Sequence, residues 1–409
     1  MPRILMLIDQ FYPVVGGAEQ QALRVSLQLI SRGYSVAVLT RQSTKELPFD
    51  EYHRGIRICR LPVSGNSMVA KLRAYWHGSK WLLRNRHKFD LIHCHGVNPL
   101  EWAVLPTCPL TRKPYIVKIP LSDFFSYAVT KEEFMSTDGR RRTTAFIRRM
   151  SSPALKRVRK QLLSKASSII AISPEIHTRL TDRGFKNIVR IPNGVDTVEF
   201  APVTNEEKLR LRRKLNLPID GVIFIYAGRL AVEKNLETLL FAWRAFTEEN
   251  AGPPAHLLIL GDGEGQSYST EQRLRRFAED QRLVTVRFTK MVTNVNEYQQ
   301  AGDVFVLPSR REGMSNALIE AMACGLPTIA SDIAGNKAII AENKTGLLFD
   351  PGSIESLKEC LLRMVTGEKE RRSMGREARR IASAKYSLNE IVDNIIEVYE
   401  KVLAENKKV

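Results

Sequence analysis

Two successive series of short, continuously apolar segments, alternating with helix-patterned stretches, limit what this chain can fold into more than any other feature. The first series opens at Arg3–Ile8, passes a loop holding Pro13, Gly16 and Gly17, and continues as a helical stretch from Ala18 to Ser31 that stops at Gly33. Ser35–Thr40 completes a βαβ unit, and Leu91–Cys94, Tyr115–Lys118 and Ser168–Ile172 extend it. Strands buried on both faces of a parallel sheet read as unbroken Val/Ile/Leu runs of this kind rather than as alternation. The pattern then restarts at Val222–Gly228, with a helix near Asn235–Glu248 and further strands at His256–Leu260, Val284–Phe288, Asp303–Leu307 and Pro327–Ala330. The expected fold class is α/β, with two facing Rossmann-like domains and a deep inter-domain cleft. A Pro/Gly/Asn-containing stretch, Ile191–Phe200, is the expected boundary, giving domains over residues 1–197 and 198–386.

Length agrees, since 409 residues exceed one ordinary core and suit two domains of roughly 200 residues each. No apolar run approaches the ~18 residues needed to span a bilayer, and Ile4–Ile8 is too short for the core of a signal peptide. The five cysteines, Cys59, Cys94, Cys108, Cys324 and Cys360, are scattered and form no CxxC. They read as structural thiols in a reducing cytosol, so a cytoplasmic location is expected, either free or peripheral on the inner face of the membrane. Net charge divides unevenly. Residues 1–197 carry 32 Lys+Arg against 14 Asp+Glu, whereas residues 198–409 carry 30 of each. The excess of +18 therefore sits in the first half, which suits either an anionic partner or a solubilising surface.

Ligands of open parallel sheets sit at the carboxyl ends of the strands. In the second half the unusual polar residues fall there repeatedly. Arg229 follows the first strand directly, after Gly228, and Lys234 begins the next helix. Two cations and a helix N-terminus meeting at one point, with both side chains exposed, suit a diphosphate leaving group. Gly261-Asp262-Gly263 after the next strand would let backbone N–H groups approach an anion, although an ordinary turn uses the same residues. After Asp303–Leu307 comes Arg310-Arg311-Glu312-Gly313-Met314-Ser315-Asn316-Ala317-Leu318-Ile319-Glu320. Ser315 or Asn316 caps the short helix that follows, and Gly325 and Pro327 end it. Helical side chains lean toward the N-terminus, so Glu320 would approach the loop that holds Glu312. Two carboxylates suit sugar and ribose hydroxyls, and the free amides of residues 314–317 suit phosphate.

The stretch from Gly302 to Ser331, with Glu312 and Glu320 separated by seven residues, resembles the signature of family 4 glycosyltransferases of the GT-B fold. Other pieces match that family in order: Gly16-Gly17-Ala18-Glu19, Ile172-Ser173, Ile191-Pro192-Asn193-Gly194-Val195-Asp196, Gly228-Arg229-Leu230 with Lys234-Asn235, Gly261-Asp262-Gly263, and Thr345-Gly346-Leu347-Leu348-Phe349. The resemblance implies a retaining transfer from a nucleotide-sugar donor to a glycan, lipid-linked or other acceptor. The donor is a co-substrate, and no cofactor or metal is expected. Arg229, Lys234 and Glu312 would be catalytic, the two cations holding the diphosphate and Glu312 accepting hydroxyls of the transferred sugar. Glu320 would accept from the ribose, and Gly313, Met314, Ser315, Asn316 and Ala317 would offer backbone amides. Gly16, Gly17, Gly228 and Gly261 complete the donor-binding set, with Gly17 approaching the phosphate from the opposite domain. The family also implies that a C-terminal helix, within residues 387–409, returns to the first domain.

This chain departs from the family in two places. The active-site histidine that follows the Tyr115–Lys118 strand in many relatives has no counterpart among Ile119-Pro120-Leu121-Ser122. Thr289-Lys290 stands where relatives commonly place a glycine flanking the base, which leaves base specificity open. His93 and His95 share one strand face and could ligate a metal, but no third ligand or Asp-x-Asp accompanies them; a structural or acceptor-side place suits them better. Lys118, Arg148 and Arg149 join them as acceptor-side candidates. Residues 140–165 hold ten Lys+Arg and no Asp or Glu, with Ile147, Met150, Ala154, Leu155, Val158 and Leu162 at helical spacing around Pro153. One reading is a helix pair packed on the first domain with its cations in water. The other is a patch for an anionic membrane surface or charged acceptor. No basic–aromatic interleaving marks a nucleic-acid binder, and none is expected as partner. An epimerase of similar architecture and a non-catalytic binding module are the rival readings.

Overall fold

The computed structural model describes residues 1–65, 67–121, 153–263 and 269–407. The chain divides into two compact units, one formed by Met1–Asn193 together with Leu388–Val409 and the other by Gly194–Ser387. The division falls within the Pro/Gly/Asn stretch, but residues 194–197 belong with the second unit. Val195 donates its N–H to the Tyr386 carbonyl at 2.8 Å and bridges to Ser387, and Arg379 donates to the carbonyls of Thr197 and Phe200.

The first unit is built on eight strands: β1 (Arg3–Leu7), β2 (Ser35–Arg41), β3 (Asp50–His53), β4 (Ile56–Leu61), β5 (Leu91–Cys94), β6 (Tyr115–Ile119), β7 (Ser168–Ala171) and β8 (Ile188–Arg190). Their order is β3-β4-β2-β1-β5-β6-β7-β8, parallel except for the β3–β4 hairpin. Strand order reverses between β1 and β5, and the loops after those two strands flank the crevice where ligands of such sheets bind. Helix α1 (Gly17–Ser31) packs with the C-terminal helix Leu388–Asn406 over one sheet face. Ile4, Met6, Ile58, Leu91, Ile116 and Ile170 from the strands meet Val25, Leu29, Ile391, Ile395 and Tyr399 in one core. The last helix therefore completes the first unit.

The second unit repeats the plan with β9 (Val222–Ala227), β10 (Ala255–Leu260), β11 (Val286–Phe288), β12 (Val304–Leu307), β13 (Thr328–Ser331) and β14 (Gly346–Phe349). The order β11-β10-β9-β12-β13-β14 is all parallel and reverses between β9 and β12. Strand β11 starts two residues later than its apolar run. Arg282 is left-handed (φ 49°) and turns the chain so that Val284 lies 92% exposed. Helix Asn205–Lys214 is fixed to this sheet through Asp303, whose carboxylate accepts from Lys208 at 2.6 Å, Arg212 at 2.5 Å and the Ile223 N–H at 2.7 Å. Burial alone would raise that carboxyl, but Lys208, Arg212 and the Ile223 amide hold it below its ordinary value.

Part of the basic segment is described, as the helix Pro153–Ser164. Its cations do not all lie in water. Arg159 is buried with Leu162 and Leu163, while Lys156, Arg157 and Lys160 are exposed. Among the described residues no helix is long and apolar enough to cross a membrane.

Glu101, on the turn after β5, is fully buried, and its carboxyl is pushed up to about 8 by burial, with Asp9 adding to the effect. An unfolded glutamate titrates near ~4.3. The folded state thus holds a proton that the unfolded state has lost, so this contribution to stability is full below about pH 4 and is lost as pH rises through about 8. Glu101→Gln should flatten that slope and raise stability at pH 8 by an amount on the order of 2 kcal/mol, with little change at pH 4. Thermal unfolding of both proteins across this range checks it; parallel curves would mean that the carboxyl does not titrate there.

Candidate active site

Three loops of the second unit meet at the strand-order reversal. The loop after β9 holds Gly228 and Arg229, and the loop after β10 lies against it. A Cβ on Gly261 would stand 2.0 Å from the Gly228 carbonyl oxygen, and Gly261 has φ +132°. No other residue fits that approach without moving the backbone. Leu230 N–H donates to the Asp262 carbonyl at 2.9 Å and fixes the pairing. Tyr226, buried at the β9 end, donates its hydroxyl to the Arg229 carbonyl at 2.8 Å. Burial raises its pKa well above normal, with Glu312 and Glu233 adding to it, so the hydroxyl is a permanent donor.

The third loop, after β12, is joined to the first by an ion pair. Lys234 Nζ lies 2.6 Å from Glu312 Oε1, with the two side chains 16% and 11% exposed. Lys234 ends a single 3-10 turn, Val232–Lys234, and Asn235 behind it is left-handed (φ 53°). That kink starts helix Leu236–Glu249 and directs Lys234 inward. Lys234 is thus half-buried, its charge held by Glu312. Arg229 is half-exposed and pairs instead with Glu233 at 2.9 Å. Arg310 adds two further stitches, its N–H to the Glu233 carbonyl at 2.9 Å and its Nε to Asn235 Oδ1 at 3.2 Å.

Loop 308–315 has no ladder of its own and is shaped from behind. A Cβ on Gly335 would stand 2.3 Å from the Glu312 carbonyl oxygen. Ser331 donates to the Ser309 carbonyl, and Asn336 Nδ2 donates to the Ser331 carbonyl at 2.9 Å. Of the two capping candidates it is Ser315 that caps helix Asn316–Ala323, accepting from Leu318 N–H at 3.3 Å. Gly313, Met314 and Ser315 are buried, Asn316 and Ala317 half-buried, and Glu320 is buried on the same helix.

In the first unit, Gly16 caps α1 without a side chain, and Gly17 is exposed. The Glu19 carboxylate folds back onto this end, where a Cβ on Gly16 would meet its Oε2 at 2.2 Å. An anion approaching Gly17 must displace or share with Glu19. His93 and His95 stack with ring centroids 4.2 Å apart at the β5 end. His93 Nδ1 lies 2.7 Å from the Tyr399 hydroxyl of the C-terminal helix, and the ring has no exposed surface. Of the structural and acceptor-side places expected for it, the ring takes a core position, because the C-terminal helix closes over it. Burial and then His95 and Lys118 push His93 well below its ordinary value. Burial and Lys118 take His95 to about 3. Both rings are neutral at pH 7. Lys118 is 5% exposed, its Nζ has no hydrogen-bond partner among the described residues, and burial lowers it to about 8. Arg148 and Arg149 lie outside the described residues. Among the described residues no group of three or more His, Cys, Asp or Glu could hold a metal ion.

Asn235, Arg310, Gly335 and Asn336 were not singled out as site residues in the sequence. Asn235 and Arg310 stood inside quoted motifs with no role. Gly335 acts through close backbone approach and Asn336 through its side-chain amide, both from a helix that follows β13, which local pattern does not reveal.

Two doubly wound sheets, each with its crevice at the strand-order reversal, define the GT-B architecture. A model described as Glycosyltransferase Family 4 matches residues 15–199, and one described as Glycosyl transferases group 1 matches residues 207–381. The chain belongs to the family 4 glycosyltransferases. It is 33% identical over 214 residues to UDP-Gal:alpha-D-GlcNAc-diphosphoundecaprenol alpha-1,3-galactosyltransferase of Escherichia coli, a match spanning 51% of this chain and 53% of that protein, so about half the length of each. It is 27% identical over 413 residues to the GDP-mannose-dependent alpha-mannosyltransferase of Mycolicibacterium smegmatis, covering 98% of each. Among solved structures it is similar to sucrose-phosphate synthase of Thermosynechococcus elongatus, with TM-score 0.82 and 22% identity over 98% of this chain and 100% of the other. It is also similar to Anabaena HepE in complex with UDP-glucose, with TM-score 0.74 and 18% identity over the same shares.

The Lys234–Glu312 pair has a measurable signature. Lys234→Met should cost about 3 kcal/mol because it strands a largely buried carboxylate, and Lys234→Met/Glu312→Gln should recover part of that loss. Urea unfolding of the single and double variants should give a coupling of about 1–3 kcal/mol. Additive losses would mean that the two side chains do not support each other.

Proposed function

We propose that this chain transfers a hexosyl group from a nucleotide-sugar donor to a glycan or lipid-linked acceptor, with retention of anomeric configuration. The reading serves cell-surface polysaccharide or glycolipid synthesis. The observation that carries it is the joining of Lys234 and Glu312 across the strand-order reversal, beside Arg229 and the amides of Gly313–Ala317. An ammonium has three donors, so Lys234 can keep Glu312 and still hold a phosphate oxygen. Arg229, itself exposed, can exchange the half-buried Glu233 for a second phosphate oxygen at small cost, since surface pairs contribute little. Glu312 then accepts from sugar hydroxyls and Glu320 from the ribose.

In the transfer step the bond from the anomeric carbon to the donor phosphate breaks, and the acceptor oxygen bonds to that carbon on the same face. The acceptor proton passes to the departing phosphate. Charge grows on that phosphate in the transition state, where Arg229 and Lys234 lower the barrier. The E. coli and M. smegmatis relatives are named for α-linked transfer. Starting from a donor whose sugar is α-linked to the diphosphate, an α-product requires retention. The E. coli relative's name gives a lipid diphosphate-linked acceptor, and HepE was solved with UDP-glucose. On the acceptor side, Lys118 and His95 at the β5 and β6 ends are the groups to meet it. Thr289-Lys290 leaves the base undecided.

Thermal shift against UDP, GDP, ADP and their sugars tests the donor reading, because a ligand that binds only the folded state raises apparent stability. One nucleotide series should stabilise the protein, and no shift with any would overturn the reading. Arg229→Ala should lower turnover about a hundredfold while the protein stays folded. Glu320→Ala should weaken nucleoside diphosphate binding itself, whereas Glu312→Ala should mainly damage binding or turnover of the sugar portion. Equal losses would remove that division of labour. The anomeric coupling of the product, measured by NMR, decides retention.

A further inference from the structure

Helix α2 (Met68–Arg84) reverses the usual distribution of large and small residues. Its inward face consists of Ala70, Ala74, Gly78, Ser79 and Leu82. A Cβ on Gly78 would stand 2.9 Å from Leu100 Cδ1, so the helix is pressed close to the segment after β5. Three of its large apolar residues point outward: Val69 is 59% exposed, Leu72 54% and Trp76 70%. They are spaced i, i+3, i+7 and so form one stripe. Arg73, His77, Lys80 and Arg84, all exposed, follow at i, i+4, i+7 and i+11 and run beside it. From Met68 to Lys88 the chain carries six Lys+Arg and no Asp or Glu. Among the described residues this stripe takes no part in the packing, which Ala70, Ala74, Gly78, Ser79 and Leu82 supply.

At the N-terminal end of α2 lies a cavity of about 340 Å³, lined by Gln42, Lys45, Ser64, Ser67, Val69 and Arg73 among others. Val69 and Arg73 belong both to the cavity and to the two stripes. Neither Lys45 nor Arg73 has an ion-pair partner among the described residues. Polar, basic space at one end and an apolar ridge beside a basic one along the helix together match an amphiphile with an anionic head.

We propose that α2 is a membrane-contact element: Val69, Leu72 and Trp76 enter the boundary between headgroups and acyl chains of an anionic leaflet, Arg73, Lys80 and Arg84 hold lipid phosphates, and the cavity beside Lys45 and Arg73 receives one headgroup. Charge selects this occupant. Along the helix the stripe has Arg and Lys beside it and no Asp or Glu, within a chain half whose excess is +18, and a negatively charged leaflet attracts each such cation. An interfacial helix takes this form, with Trp and Leu beside Lys and Arg.

Co-sedimentation of the full chain with phosphatidylglycerol-containing and pure phosphatidylcholine vesicles, at rising salt, tests the proposal. Binding should require the anionic lipid and weaken with salt. Leu72→Ser/Trp76→Ser and Arg73→Gln/Lys80→Gln should each lower vesicle affinity at least about tenfold while keeping the wild-type melting temperature, because these side chains face outward. Lipid-borne quenchers should dim the tryptophan emission of the wild type and not that of Trp76→Phe, which separates Trp76 from the other three tryptophans. Equal binding to both vesicle types, no binding, or unchanged binding by both folded double variants would each overturn the proposal. So would a stripe covered by a second copy of the chain, visible as a dimer that Leu72→Ser/Trp76→Ser dissolves. Nucleotide thermal shifts on the same samples keep the outcome separate from the donor reading: a chain that binds nucleotide but not vesicles overturns only the role of α2.

Discussion

Much of the second unit's chemistry depends on the 2.6 Å contact between Lys234 and Glu312. The two residues come from loops on neighbouring strands, and only the reversal of strand order between β9 and β12 brings those loops together. Neither loop has a ladder to shape it. Their form comes from the ion pair, from the Arg310 contacts and from the close approach of Gly335 to the Glu312 backbone. A pair this far out of water repays its desolvation only with good geometry and further hydrogen bonds. The arrangement is also a poised one. In the proposed reaction the Lys234 ammonium, with three donors, keeps Glu312 and takes a phosphate oxygen beside it, so the contact is in place before the donor arrives.

The first unit handles charge differently at the equivalent place. Asp9 and Arg41, at the β1 and β2 ends, form a two-pronged pair at 2.7 and 2.5 Å. Next to them the sheet end holds groups without such compensation. Burial lowers Lys118 to about 8 and raises Glu101 to about 8, while His95 is driven to about 3. Native sites leave a buried ammonium without an acceptor only at a cost in stability. That cost is the physical ground for placing Lys118, rather than the fully covered His93, on the acceptor side of the proposed reaction.

Legibility of the fold followed burial. Strands β1, β5, β9 and β12 are covered on both faces, and their apolar runs marked them within a residue or two. The β3–β4 hairpin went unread because β3, Asp-Glu-Tyr-His, is a half-exposed edge strand with no apolar run. Helix α2 carries Val69, Leu72 and Trp76 on the wrong side for a reader who takes periodicity as a guide to the core. The candidate donor-side residues stood out one by one, from their position after strands and from the family resemblance. Their pairing was not. Lys234 and Glu312 are separated by 78 positions, and a cation at a helix start reads as solvated. Only the left-handed turn at Asn235 directs it inward, and an Asn in a Lys-Asn pair announces no such turn on its own.

Chain topology ties these local features together. The second unit is an insertion: it begins and ends at one place, where Val195 hydrogen bonds to Tyr386 and bridges to Ser387. A segment whose ends already touch can close its own core with little loop-entropy cost. The first unit lacks that independence. Ile391, Val392, Ile395, Tyr399 and Val402 are buried, and they join the core formed by β1, β5 and α1 only after the whole second unit has been made. Tyr399 is also the partner of His93, so the polar end of β5 acquires its final hydrogen bond from the last helix of the chain. The end of β5 is therefore set by residues about 300 positions away, and its electrostatics follow from the return of the C-terminus as much as from the strands next to His95 and Lys118.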